Sequence, residues 1–293
     1  MTLIDGKAVA ESIKEQLKTE TTVFIQKTGK TPHLAAVLVG DNPASHAYVG
    51  NKVKSCAQVG FKSTLIKKSA EITEAELLDV IHDLNNDPDI DGFIVQLPLP
   101  KHIDEVKITL AIDPAKDVDG FHPVNFGKMA QGLPCFLPAT PYGITLLLEK
   151  YGIETAGKHV VVVGRSNIVG TPMSILLSRK SKTGDATVTL THSRTKNLKD
   201  ILLQADIIVA AIGIPGFVSA EMIKEGAVVI DVGINRIEDE TTTSGSRLVG
   251  DVDFKNAAPK CSFITPVPGG VGPMTVVGLM MNTFKAAKEK MNL

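Results

Sequence analysis

The 293-residue sequence has no surplus of either charge: 31 lysines and arginines face 32 aspartates and glutamates, for a net charge of −1. No overall field therefore draws nucleic acid or an anionic membrane, although small basic patches remain open to it. Cysteine is scarce. Cys56, Cys135 and Cys261 are far apart, odd in number and never arranged as CxxC, which argues against a disulfide framework and a zinc site and fits a reducing compartment. The seven histidines are dispersed, so no metal is expected. No apolar run has the ~20 residues of a membrane span. The opening "MTLIDGKAVAESIKEQL" reads as a short apolar start and a charged amphipathic helix, not a signal peptide. No repeat, low-complexity tract, P-loop or GxGxxG occurs. A cytoplasmic globular enzyme is the expectation, and 293 residues suit two domains.

Strand-like and helix-like segments alternate. "HLAAVLVG" (33–40) is an apolar run ending in glycine, and Asn42-Pro43 then offers an N-cap and a first-turn proline for a helix reaching about Gly60. "KSTLIKK" (62–68) reads as a strand, "TEAELLDVIHDLNND" (73–87) as a capped helix, and "DGFIVQLPLP" (91–100) as a strand broken by prolines. "PATPYGITLLLEKYGIETAG" (138–157) is a helix suited to bridge two domains. "ATVTLTHSRT" (186–195), "ADIIVAAIG" (205–213) and "GAVVIDVGIN" (226–235) are buried strands of a parallel sheet covered on both faces. "RIEDETTTSGSRL" (236–248) is an exposed hairpin or loop. "TPVPGGVGPMT" (265–275) is a turn before a final helix from about 275 to 290. The alternation predicts an α/β fold of βαβ units.

"VVVVGRSNIVGTP" stands at the strand–loop–helix position where a Rossmann fold holds pyrophosphate, with its glycines, Gly164 and Gly170, spaced G-x5-G. Alone, such a loop is either a phosphate cradle or a tight turn. Gly164, Gly213 and Gly233 each follow a strand, where a doubly wound sheet lines its ligand crevice. The strand "ATVTLT" runs into His192-Ser193-Arg194, without the acid that holds an NAD ribose. A hydroxyl and a guanidinium suit a 2′-phosphate, and Arg165 offers a second cation; the bland alternative is that both arginines are solvated. NADP is preferred over NAD.

In the first half, Tyr48 and Lys52 of "HAYVGNK" share one helix face. Lys52 is either a solvated lysine with its stem on the tyrosine ring or a functional amine. Gln96 ends a strand, and Leu97-Pro98 after it stops the ladder and makes a wall. Asp117 and Asp119 precede a glycine, where paired acids are commonly turn formers.

Taken together, "YVGNK", "VQLPLP", "KDVDGFHP", "VVVGRSNIVGTP" and "TPVPGGVGPMT" resemble, in order and spacing and over essentially the whole chain, the bifunctional methylenetetrahydrofolate dehydrogenase–methenyltetrahydrofolate cyclohydrolase family. The resemblance implies a folate-binding catalytic domain over 1–139, completed by the C-terminal helix 275–293, a Rossmann-type doubly wound NADP domain over 140–274, and a cleft between them. It implies that Lys52, Tyr48 and Gln96 are catalytic, with Gln96 bonded to the lysine. Tetrahydrofolate derivatives would be bound by Tyr48, Lys52, Gln96, Leu97, Pro98, Asp119 (the pterin anchor), Gly269 and Gly270. Gly164, Arg165, Ser166, Ser193 and Ile234 would contact NADP. A homodimer without nucleic-acid or membrane partners is typical. Where the family often reads "PCTP", this chain has Pro138-Ala139-Thr140-Pro141, so Ala139 receives no catalytic role. Without a P-loop, two activities are expected rather than three. Two other readings compete. A shikimate- or amino-acid-dehydrogenase-like enzyme would use a lysine–aspartate pair but leaves "VQLPLP" and "PVPGGVGPMT" unexplained. A nucleotide-sensing module would have no use for Tyr48, Lys52, Gln96 and Asp119 together.

Overall fold

The computed structural model describes residues 1–242 and 245–293. In chain order the elements are β1 (Thr2–Leu3), α1 (Gly6–Thr28), β2 (His33–Val39), α2 (Pro43–Val59), β3 (Lys62–Lys68), α3 (Glu74–Asn86), β4 (Gly92–Val95), α4 (Glu105–Ala111), α5 (Pro123–Ala130) and α6 (Ala139–Lys150). There follow β5 (His159–Val163), α7 (Gly170–Ser178), β6 (Thr187–Thr191), α8 (Leu198–Leu202), β7 (Ile207–Ala210) and β8 (Val228–Asp231). The chain ends with β9 (Asn235–Glu238), β10 (Ser246–Val249), α9 (Phe254–Ala257), β11 (Phe263–Ile264) and α10 (Val271–Lys290).

These elements form two compact units. One comprises Glu11–Ala139 and Val276–Leu293, the other Met1–Ala10 and Thr140–Thr275.

The first unit is built on a three-stranded parallel sheet in the order β3-β2-β4. All seven residues of β2 are buried. Its two faces pack separately, as the two-residue period of a strand requires. Leu34, Ala36 and Leu38 meet Leu17 and Phe24 of α1 and Met280 and Phe284 of α10. Ala35, Val37 and Val39 meet Leu77, Ile81 and Leu84 of α3. Leu77 and Ile81 are fully buried, each contributing about 1.5–3 kcal/mol. Helix α3 begins at a capping box: Glu76 N donates to Thr73 Oγ1 (3.2 Å) and Thr73 N donates to Glu76 Oε2 (2.8 Å). Helix α2 starts on Pro43 as its sequence suggests, and Gly60 follows it with φ +79°, the left-handed stop that glycine supplies cheaply.

The second unit carries a six-stranded, all-parallel sheet in the order β1-β11-β8-β7-β5-β6. Strands β7 and β8 are buried throughout, as their unbroken apolar runs imply. Strand β6 is only half-buried, because it forms the sheet's edge. The chain order reverses between β5 and β7, so ligands are expected outside the carboxyl ends of those strands.

The structure departs from the sequence expectation in three places. Met1–Ala10 joins the nucleotide unit rather than the folate unit, because β1 pairs with β11 (Thr2 opposite Phe263) and extends that unit's sheet. Helix α10 begins at Val271, four residues before the expected start, since Pro273 lies in a first turn where its missing N–H costs nothing. Short helices α4, α5, α8 and α9 and strand β11 occupy stretches with no anticipated element. Strands β9 and β10 pair antiparallel, the hairpin of the two alternatives expected for 236–248; residues 243 and 244 of that stretch lie outside the described residues.

Candidate functional site

In the folate-type unit, α2 follows β2 and carries Tyr48 and Lys52 one turn apart. Tyr48 stays 42% exposed, presenting a ring to solvent, and partial burial raises its phenol above the ordinary value. Lys52 is only 8% exposed, which rules out the solvated lysine. Its Nζ donates to Gln96 Oε1 at 3.1 Å. Gln96 is held at both ends. Its backbone N donates to Val37 O (2.9 Å), carrying the β4–β2 ladder one residue past the strand. Its Nε2 donates to Leu97 O (2.7 Å), which leaves the amide oxygen facing the lysine. Leu97-Pro98 is a cis peptide, and the chain runs on as non-strand through Pro100.

The two aspartates of "KDVDGFHP" divide the two roles that a pair of acids could play. Asp117 is the turn former. Its buried carboxylate accepts from Phe121 N (3.3 Å), His122 N (2.8 Å) and Asn125 Nδ2 (2.9 Å). Gly120, at φ +75°, lets that turn close, for a Cβ there would lie 2.5 Å from Leu137 C. The Asp119 carboxylate takes no hydrogen bond from the described residues. Burial pushes it above the usual carboxylate range; the Lys52 charge opposes the rise and the Asp117 charge adds to it. A small pocket opens beside it, walled by Phe93, Val95, Leu97, Ile108 and Phe121. An enclosed carboxylate short of donors suits a ligand that brings N–H groups. Thus Tyr48, Lys52, Gln96, Leu97, Pro98 and Asp119 all fall within one unit, whereas Gly269 and Gly270 belong to the other.

In the nucleotide unit, Gly164 has φ +111°, and a Cβ on it would stand 2.1 Å from Ala211 O. A Cβ on Gly170 would lie 2.0 Å from Gly164 O. Both glycines are therefore required for the loop to pass tightly between β5 and α7, at the N-terminal end of a helix whose dipole favours an anion. Ser166 Oγ accepts from Val169 N (3.2 Å) and Gly170 N (3.4 Å), holding the loop in shape. Arg165 and Ser193 are exposed, and Ile234 is 42% exposed. Gly269 accepts from Lys7 N through its carbonyl (2.9 Å), and Gly270 tolerates no Cβ, which would meet Pro266 O at 2.5 Å.

Sequence reasoning missed two buried acids here, Asp231 and Asp251. They stand in "IDVG" and "VGDVD", where an aspartate and a glycine recur at close range, the one available signal. Asn282 escaped notice as well. Its Nδ2 donates to Val118 O and Leu137 O, both at 2.8 Å, and so fixes the backbone around Asp119.

A doubly wound nucleotide unit with a glycine cradle, joined to a parallel α/β unit bearing a buried lysine and a free carboxylate, defines a two-domain nucleotide-dependent dehydrogenase. Two family models specify it further. The catalytic domain of tetrahydrofolate dehydrogenase/cyclohydrolase matches residues 4–119, and the NAD(P)-binding domain of the same family matches residues 138–291. The bifunctional protein FolD of Cytophaga hutchinsonii is 63% identical over 99% of this chain and 100% of its own length. The crystal structure of the bifunctional FolD enzyme of Campylobacter jejuni shares 48% identity, covers 99% of both chains and superposes with a TM-score of 0.92. That of Trypanosoma brucei methylenetetrahydrofolate dehydrogenase–cyclohydrolase, complexed with NADP cofactor and inhibitor, shares 39% identity over 100% of this chain and 99% of that one, with a TM-score of 0.95. The chain belongs to the tetrahydrofolate dehydrogenase/cyclohydrolase family. Its activity is that of a bifunctional enzyme: NADP-dependent oxidation of 5,10-methylenetetrahydrofolate to the methenyl form, then hydrolysis to 10-formyltetrahydrofolate, within one-carbon metabolism.

Proposed function

We propose that Lys52, Gln96, Tyr48 and Asp119 perform the folate chemistry and that the Gly164 loop, Ser193 and Ile234 hold the cofactor. The observation that carries this reading is the Lys52–Gln96 hydrogen bond at 3.1 Å in the unit that also holds the unpartnered Asp119 carboxylate.

Asp119 takes N–H donors from the pterin ring and fixes its orientation. Charge-assisted bonds of this kind are about twice as strong as neutral ones. Tyr48 offers its exposed ring as a flat wall for the ligand. Leu97 and Pro98, and Gly269 and Gly270, border the substrate. Oxidation removes a hydride from the one-carbon bridge and leaves a methenyl cation, a step that needs geometry rather than a base. When bound, NADP accepts that hydride.

A Cβ at Gly164 would clash with Ala211 O, so the loop is drawn tight against the sheet and leads a pyrophosphate to the N-terminal end of α7, whose dipole favours an anion. The run from β6 into Ser193-Arg194 offers hydroxyl and cation where an NAD enzyme would place an acid, and Arg165 pairs with the 2′-phosphate.

Hydrolysis needs protons moved. Water adds to the cation, the ring opens, and one proton is released for each 10-formyl product. Lys52 is the base that takes a proton from the attacking water. Gln96 orients the amine without the charge a carboxylate would add. Ala139 has no part in this.

Assaying methylene oxidation and methenyl hydrolysis separately in Lys52 and Asp119 variants tests the assignment. A lysine variant with normal hydrolysis, or an aspartate variant with normal folate kinetics, would remove those roles. On the family resemblance we further propose a cytoplasmic homodimer with domains divided near residues 139 and 275. Light scattering that gives the single chain mass of 31.2 kDa would overturn the dimer.

A further inference from the structure

In the nucleotide unit, beyond the residues assigned to cofactor, lie two buried carboxylates, Asp231 (2% exposed) and Asp251 (0%). Each is seated against a glycine of the other's segment. A Cβ on Gly250 would come within 1.8 Å of Asp231 Oδ2, and a Cβ on Gly233 within 2.3 Å of Asp251 Oδ1. Asp231 ends β8 and accepts from Gly233 N (3.0 Å), Asp251 N (2.9 Å) and Val252 N (3.0 Å). It thereby ties the end of β8 to the segment that follows β10.

Asp251 reaches further. Its Oδ2 accepts two successive backbone donors of the loop after β7, Ile212 N at 2.7 Å and Gly213 N at 2.9 Å. With Gly213 at φ +71°, these N–H groups converge as an anion-binding nest, and a carboxylate of the chain itself fills it. Its Oδ1 accepts from Asn235 Nδ2 at 2.9 Å, and Asn235 immediately follows Ile234. One side chain thus sets the backbone after β7 and the residue after Ile234, at the sheet end where the cofactor is placed.

We propose that Asp251 is a positioning residue for the nucleotide: it holds the loops after β7 and β8 in register so that Ile234 meets the cofactor. The inference rests on the assignment of Ile234 and the Gly164 loop to NADP. No contact between Asp251 and the cofactor is required. When the acid becomes an amide, its one oxygen can serve either the Ile212–Gly213 N–H groups or Asn235, its NH2 faces the other, and every bond that survives loses its charge assistance.

The test is Asp251→Asn, with Asn235→Ala as a milder variant that removes one of the three contacts. Each is checked for folding by circular dichroism. Three quantities are then measured: the NADP dissociation constant by calorimetry, the Michaelis constants for NADP and for methylenetetrahydrofolate, and methenyl hydrolysis, which consumes no NADP. The expected result is a rise of about tenfold or more in the NADP constants for Asp251→Asn and about threefold for Asn235→Ala, with the folate constant and hydrolysis within about twofold of the parent. Unchanged NADP constants in a folded Asp251→Asn protein overturn the inference. Proportional loss of both activities also overturns it, because that marks a merely structural acid. If Asp251→Asn does not fold, unchanged NADP constants in Asn235→Ala overturn it alone. Arg165→Ala, measured in parallel, separates the two readings. If it weakens NADP while the Asp251 variant does not, only the positioning role fails. If neither variant changes NADP, the cofactor assignment itself is wrong.

Discussion

Replacing Lys52 with methionine keeps a stem of the same length, with sulfur in place of Cδ, and removes the amine. The side chain is 8% exposed, so its stem packs in the interior and methionine fills nearly the same space. The one hydrogen bond lost is the 3.1 Å contact to Gln96 Oε1, and Gln96 keeps its bonds to Leu97 O and Val37 O. Folding should therefore cost about 0.5–1.5 kcal/mol, too little to unfold a typical domain. Removing the Lys52 charge also deletes the one attraction that opposes the upward push on Asp119, so its carboxyl rises further and accepts pterin donors less well. Folate affinity should fall modestly.

The large effect of Lys52→Met lies elsewhere. A positioned base contributes about 10²–10⁴-fold to proton transfer, and hydrolysis of the methenyl cation should fall by that factor. Oxidation needs no base and should remain measurable. With methylenetetrahydrofolate and NADP supplied together, the variant should accumulate the methenyl intermediate, visible by its absorbance, where the parent passes it on to 10-formyltetrahydrofolate. Adding purified methenyl substrate alone isolates the second step. Hydrolysis within about tenfold of the parent, on protein shown to be folded, would refute the assignment of Lys52 as the base. Equal collapse of both steps would instead place the lysine in substrate binding.

Asp119→Asn should raise the folate Michaelis constant by roughly 10–100-fold while calorimetry shows unchanged NADP affinity. Asp117→Ala should behave differently, losing on the order of 3–5 kcal/mol in denaturant melts because three donors lose a buried acceptor; equal stability in the two variants would contradict their division of labour. Arg165→Ala should raise the Michaelis constant for NADP roughly 10–100-fold and that for NAD little, and parallel changes would remove Arg165 from the 2′-phosphate. Burial pushes the Asp231 carboxyl from 3.8 up to about 6 despite its three backbone donors, so the native state binds the extra proton between those values. Stability of that group is then greatest at or below about pH 4 and declines as pH rises to about 6, by about 3 kcal/mol in all. Chemical denaturation across pH 4–6.5 should show this component in the parent and not in Asp231→Asn; identical pH profiles would refute it.

Local order was legible in the chain. Unbroken apolar runs marked β2, β7 and β8, Asn42-Pro43 and Gly60 bounded α2, and the N-cap and helical period of "TEAELLDVIHDLNND" announced α3, because caps, turns and apolar patterns are decided by neighbouring residues. The five motif blocks pointed to the family for the same reason: each is a short stretch whose residue types must stand together. What separates Asp117 from Asp119 was not legible in residue type or spacing, and only the family resemblance singled out Asp119. Two acids, two residues apart, look alike until the turn carries one into backbone donors and leaves the other enclosed and unpartnered. The partnership of Lys52 with Gln96, 44 residues away, exists only because α2 and the end of β4 flank the same strand. The first ten residues followed their hydrogen bonds to β11 rather than their place in the sequence, since an open sheet edge takes whichever strand can reach it. The Asp231–Asp251 node depends on close approach of segments about twenty residues apart, made by two missing side chains at Gly233 and Gly250. Composition and periodicity carry no record of such a distance; folding alone sets it.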